Sequence, residues 1–224
     1  GFAGDTTLSL VPPVFRVPES AATYYVSKEG SDYNDGLSVE TAFSNIQKGI
    51  DTVSSRGKVV VMPGIYHEDI SFTGDNIELT SSEPNYPRLT VINGSDTVVT
   101  FSGSENASCT LRGFTITGGT RGIDGWGTTA FIENCIVTGN TTLEEHGAGI
   151  NDCDGLIRGC RVTGNTAVVG AGIDACSGLF VNTVIAGNSS VDSDSVSGAG
   201  AAMAYCSASF INCTIAYNDH GAET

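Results

Sequence analysis

The 224-residue sequence predicts an all-β fold, a right-handed parallel β-helix (a solenoid) with a short capping α-helix at its N-terminal end. Three observations carry that prediction. A five-residue motif recurs as TITGG at 115–119, IVTGN at 136–140, RVTGN at 161–165, VIAGN at 184–188 and TIAYN at 214–218, with copies 21 to 30 residues apart, a solenoid period. Aligned on it, Leu111, Ile132, Ile157, Phe180 and Phe210 form one column; Phe114, Cys135, Cys160, Thr183 and Cys213 a second; and Ile116, Val137, Val162, Ile185 and Ile215 a third. Between the first two lies a column of Gly113, Asn134, Gly159, Asn182 and Asn212, the two residue types that most readily take a left-handed backbone at a bend.

From that corner onward, interior residues alternate with Thr115, Ile136, Arg161, Val184 and Thr214, the period of two of a half-buried strand. One coil cannot bury its own apolar side, so the copies must stack in parallel at about 4.8 Å per rung. A sandwich or barrel would need hairpins and would leave the identical corners unexplained.

The elements follow in order. Residues 1–22 form a lead segment containing Pro12, Pro13 and Pro18, and the solenoid domain spans 23–224. A strand at 24–26 is followed by an acidic turn with Asp32, Asn34 and Asp35, which has the look of an Asx turn because a calcium loop's alternation and downstream Glu are missing. Ala42, Phe43, Ile46, Ile50 and Val53 have helical spacing and predict a helix over 41–55 that plugs the open end of the stack. Strands at 59–61, 65–72, 77–79, 90–92 and 98–101 lead into the regular coils at 110–218.

Composition narrows the function classes. A formal net charge of −15 disfavours nucleic acid and anionic membranes as partners and favours calcium or neutral ligands. No run of 18 apolar residues exists to span a membrane. The first residues lack the pattern of an intact signal peptide and read as a mature or trimmed N-terminus. Six of the seven cysteines fall on ladder positions, Cys135, Cys160 and Cys213 in one column and Cys153, Cys176 and Cys206 in another, which predicts buried free thiols. Stacked rungs also bring Cys135 and Cys160, or Cys153 and Cys176, within bridging range, so the disulfide alternative stays open.

The segments YYVSKEGSDYNDG at 24–36, TAFSNIQKGID at 41–51 and VVVMPGIYHEDISF at 59–72, with the GFTITGG and NCIVTGN coils, resemble the pectin-lyase-like superfamily. That resemblance implies the β-helix fold, a secreted or cell-surface setting and a polysaccharide partner that the protein binds or cleaves, as a glycoside hydrolase or a lyase. The alternative is a non-catalytic surface-structural or adhesion module. The related calcium-dependent lyases use a Lys or Arg base beside acidic calcium ligands, yet Lys28, Lys48 and Lys58 all precede the regular coils. Arg112 and Arg158 flank Glu133 in an outward column and predict a salt-bridge ladder. Arg161 and Arg121, read as strand and loop residues, are left to meet an acidic sugar.

A second motif, GID at 122–124, GIN at 149–151 and GID at 172–174, supplies the candidate site. With the isoleucines inward, Asp124, Asn151 and Asp174 line up outward. Two rungs put Asp124 about 9.6 Å from Asp174, near the upper end, roughly 9.5 Å, of the separation inverting glycosidases use. This makes Asp124 and Asp174 candidate acid and base, or candidate calcium ligands; the plain alternative is that they satisfy backbone groups at a bend. Asp152 and Asp154 lie beside them. Insertions after each coil are confined to one side, as on many solenoid binding faces, and bring Glu144, Glu145, His146, Asp192 and Asp194. Trp126 and Tyr205 are expected to pack in the core near a corner. The sequence stops just after a strand, which predicts either a longer natural protein or end-to-end self-association through the last coil.

Overall fold

A computed structural model describes residues 22–143, 146–191 and 200–221. The lead segment 1–21, Glu144, Glu145, Asp192 and Asp194 lie outside the described residues. The chain winds as a right-handed parallel β-helix in which each coil contributes one strand to each of three parallel sheets. The first sheet has eight strands, from Thr23–Val26 to Ser209–Ile211; the second has seven, from Gly64–Tyr66 to Thr214–Ala216; the third has six, from Ile70–Ser71 to Met203–Ala204. A small fourth sheet joins Thr166–Ala167, Ser189–Val191 and Asp219–Gly221.

The predicted columns are the observed registers. Leu111, Ile132, Ile157, Phe180 and Phe210 are successive partners across the first sheet. Ile116, Val137, Val162, Ile185 and Ile215 are successive partners across the second. All but the last residue of each column are fully buried, because parallel rungs superpose like on like and leave no apolar position facing water. The corner column takes positive φ at all five positions, 81° at Gly113 and 51° at Asn134 among them. Bonds such as Arg161 N–H to the Cys135 carbonyl (2.9 Å) hold the rungs at each corner.

The seven cysteines are free thiols, five of them buried. Burial pushes the Cys109 thiol up to about 12, so it behaves as an apolar filler.

Two expectations are corrected. The capping helix is Ile46–Thr52, shorter than 41–55, because the entry is built from side chains instead. Asp32 accepts from the Ser44 and Asn45 backbone N–H groups (2.9 and 3.1 Å), and the two oxygens of Glu68 take the orphan N–H groups of Ile46 and Gln47 (3.0 and 3.1 Å). The segment 65–72 is two strands, Gly64–Tyr66 and Ile70–Ser71, since the chain turns there from the second sheet to the third.

Candidate functional site on the third sheet

The strands Arg121–Thr128, Ile150–Cys153 and Ile173–Asp174 run side by side in the third sheet. Ile123, Ile150 and Ile173 are register partners and fully buried, which turns Asp124, Asn151 and Asp174, also register partners, to the outer side as the alternation requires. The row exists, but it is not open. Asp124 and Asp174 are only 6% and 4% exposed, which corrects the expectation of two outward carboxylates facing solvent.

Arg121 does the covering. It belongs to the strand, not to a loop, and its guanidinium reaches in three directions: Nη1 donates to Asp124 Oδ2 (2.8 Å), Nε to the Gly147 carbonyl (3.2 Å) and Nη2 to the His146 carbonyl (2.9 Å). One cation thereby neutralises the aspartate and pins His146 and Gly147 of the next coil over the row. Asn151 Nδ2 donates to Asp124 Oδ1 (2.9 Å), so both oxygens of Asp124 are engaged.

Asp174 is held differently. The backbones of Gly147 and Gly170 press against it: a Cβ at Gly147 would lie 2.9 Å from Asp174 Cβ, and one at Gly170 would lie 2.7 Å from Asp174 Oδ1. Both glycines also have positive φ, 68° and 60°, so these positions exclude side chains twice over. Asp174 Oδ1 is buried without a hydrogen bond, while Oδ2 stands 3.8 Å from His146 Nδ1. Burial raises the Asp174 carboxyl above its ordinary value against the opposing pull of His146 and Arg121.

The third sheet ends at a corner where every coil has a residue at positive φ: Trp126 and Gly127, then Asp152, Ala175 and Tyr205. Between Asp124 and Thr128 the first of these coils carries three residues where the next carries one, a bulge that lifts Trp126 off the ladder. Trp126 is 64% exposed and Tyr205 73%, so neither packs in the core as expected. Tyr205 stacks on His146, ring centroids 5.7 Å apart and planes 7° from parallel. Asp152 sits between them with its carboxyl raised by burial first and then by Asp154 and Asp124. Asp154 accepts from the Ser177 N–H (2.9 Å) and hydroxyl, which fixes the bend of the following coil.

The structure thus brings Asp124, Asn151, Asp174, Asp152 and His146 together, and leaves Arg161 on the second sheet, away from them. Among the described residues no three His, Cys, Asp or Glu side chains gather as a metal-binding group. Sequence reasoning missed Arg121 as the clamp and the outward turn of the two aromatics. One signal was present: DGWGT carries extra residues and flanking glycines where the equivalent coils read NDC and DAC, the mark of a bulge.

No protein-family model matches the chain, and no curated protein sequence does. Solved structures do. A pectin methylesterase in complex with a hexasaccharide is 13% identical, with 89% of this chain and 67% of that one covered and a TM-score of 0.57. Pectin methylesterase PemA from Erwinia chrysanthemi is 14% identical, with 89% and 68% covered and the same TM-score. The chain shares the right-handed parallel β-helix fold of these structures.

Proposed function

We propose that this is a carbohydrate-associated β-helix whose third sheet and its corner bind a polysaccharide, with Trp126 and Tyr205 as platforms for sugar rings. One observation carries the reading. Two large aromatics stand mostly in water at a single corner column, three rungs or about 14 Å apart. Left-handed backbone at a non-glycine residue costs on the order of 1 kcal/mol or more, and exposing the rings forgoes their burial. The left-handed backbone belongs to the corner itself, since Asp152 and Ala175 share it; the exposed rings are what serves a ligand that presents flat apolar faces at intervals. A solenoid neighbour solved with a hexasaccharide bound is in keeping with this reading. A polysaccharide ligand also assigns the protein to the cell exterior, as an enzyme or a binding module.

A catalytic version of this site rests on Asp174 and His146. Asp174 Oδ2 stands 3.8 Å from the Nδ1 of the half-exposed His146 imidazole, and in a catalytic site His146 would carry the proton at the rim with Asp174 closing on it as its orienting group. Asp124, with both oxygens engaged, is the structural member of the row.

The test is a panel of polysaccharides read by affinity, by reducing ends and by absorbance of unsaturated products. Trp126→Ala and Tyr205→Ala are each expected to weaken binding about tenfold, or roughly 1.4 kcal/mol. His146→Gln is expected to abolish cleavage while leaving affinity intact wherever products form. If no polysaccharide binds, or both aromatic variants bind like the parent, the reading is wrong.

A further inference from the structure

We infer that a second sugar site lies at the corner between the first and second sheets, in a cleft ending at Arg161 that takes a carboxylate-bearing sugar, a uronate. It rests on the carbohydrate reading above but uses a different face of the solenoid.

From the third coil onward this corner needs only two residues, such as Asn134 and Cys135 between Phe131–Glu133 and Ile136–Thr138. The second coil instead spends eight, 82–89, between Glu78–Ser81 and Thr90–Asn93. That insertion folds down over the corners that follow it. Pro84 crowds Gly113, where a Cβ would lie 2.4 Å from Pro84 Cα; the Pro87 carbonyl accepts from Thr115 Oγ1 (3.0 Å); and Asn85 Oδ1 accepts from Asn134 Nδ2 (3.4 Å). An insertion confined to one corner of a regular stack is how solenoids build binding faces.

The overhang creates a cleft of about 290 Å³ lined by Asn85, Pro87, Asn134, Ile136, Gly159 and Arg161. Such a volume lies at the small end of ligand sites, suited to one sugar unit. The lining has the matching chemistry. Arg161 is exposed, and among the described residues no hydrogen bond or ion pair engages its guanidinium, so its planar fork is free for a carboxylate. Asn85 and Asn134 offer amides for hydroxyls, and Pro87 with the neighbouring exposed Tyr86 offers a face for a ring. On this side Arg112 and Arg158 share the single Glu133, leaving a local positive surplus in a chain of net charge −15. That surplus offsets the long-range repulsion an acidic sugar would otherwise meet.

The experiment is a titration of the full chain with trigalacturonate and with its carboxyl-reduced neutral counterpart, followed by side-chain amide and backbone NMR shifts. The acidic trimer is expected to move the Asn85 and Asn134 side-chain signals, and the neutral trimer to leave them in place. Arg161→Gln should weaken the acidic trimer's effect there about tenfold or more. Asn134→Gly, which keeps the left-handed corner, should weaken it by a smaller factor. Trp126→Ala should leave the cleft's response unchanged. Equal response to the neutral trimer, an unaltered response in Arg161→Gln, or no response in the cleft each overturns the proposal. If the cleft is silent while Trp126 and Tyr205 respond, only this second site fails; if the cleft responds and the aromatics bind nothing, the third-sheet reading is the one that fails.

Discussion

Two ladders of polar side chains run along this solenoid, and they differ in every respect that matters. Inside the turn after the second sheet, Asn140, Asn165, Asn188 and Asn218 stack amide on amide. Each Nδ2 donates to the next Oδ1 at 2.8 to 3.0 Å, and Asn165, Asn188 and Asn218 also donate to the carbonyls of Val137, Val162 and Ile185 one rung back. Each Oδ1 accepts again from a backbone N–H of the preceding coil. On the third sheet, Asp124, Asn151 and Asp174 occupy equally regular positions, yet one is neutralised by an arginine, one bridges, and one keeps an unpaired buried oxygen. A neutral amide carries both donor and acceptor, so it can repeat indefinitely and close its own hydrogen bonds. A carboxylate only accepts, and two rungs of it need foreign groups to stand together. The first ladder is the product of stacking; the second departs from what stacking alone produces.

The sharpest way to break that contrast is Asn165→Ala. It strands the Asn140 backbone N–H and takes a donor from the Val137 carbonyl in a dry turn, while the Asn140 amide keeps its bonds to the Ile116 and Thr138 carbonyls; at about 1–3 kcal/mol for each unsatisfied group, a loss of about 2 kcal/mol or more is expected in urea unfolding. A loss under about 1 kcal/mol would show that water fills the turn and that the amides are not the seam described.

Glu133→Ala should cost less, about 1–3 kcal/mol, since it leaves Arg112 and Arg158 facing each other without the shared carboxylate. High salt should shrink the difference, because Arg158 is partly exposed.

Asp174→Asn sharpens the contrast through pH. The folded pKa is raised, so the folded state prefers the protonated form; this group's contribution to stability is complete below the unfolded value of 3.8 and is lost as pH climbs through the raised value. Asp152 has a shift of the same sign and stays in the variant. Thermal unfolding across that window should fall less steeply with pH in Asp174→Asn than in the parent, leaving the variant relatively more stable at neutral pH. A parallel pair of profiles would place Asp174 among ordinary solvated carboxylates.

The smallest effect is expected at Trp126→Ala, whose stability should stay within about 0.5 kcal/mol of the parent because the ring is mostly in water. A larger loss would make Trp126 a packing residue and remove the reason for assigning it to a ligand.

How much of this was legible follows the same division. The columns headed by Leu111 and Ile116, the glycine and asparagine corners, the alignment of Asp124 with Asp174 and the Arg112–Glu133–Arg158 ladder could all be read from spacing, because a stack obliges like positions to meet. The cover over the row could not. Arg121 becomes a clamp only when His146 and Gly147 of the next coil come against it, and His146 belongs to an insertion that follows no repeat. Trp126 and Tyr205 occupy positions where a core residue and an exposed one are spelled alike until the bulge and the left-handed backbone decide. The helix at Ile46–Thr52 was recognised by its apolar spacing and overextended, since Asp32 and Glu68, which set its start, lie far from it in sequence.

Mapping of backbone amide shifts during titration with an oligosaccharide drawn from the polysaccharide panel tests the division most directly. Shifts are expected to gather at Trp126, Asp152, Ala175 and Tyr205 while Asn140, Asn165 and Asn188 stay still. Shifts centred on the asparagine turn, with the aromatic corner unmoved, would contradict it.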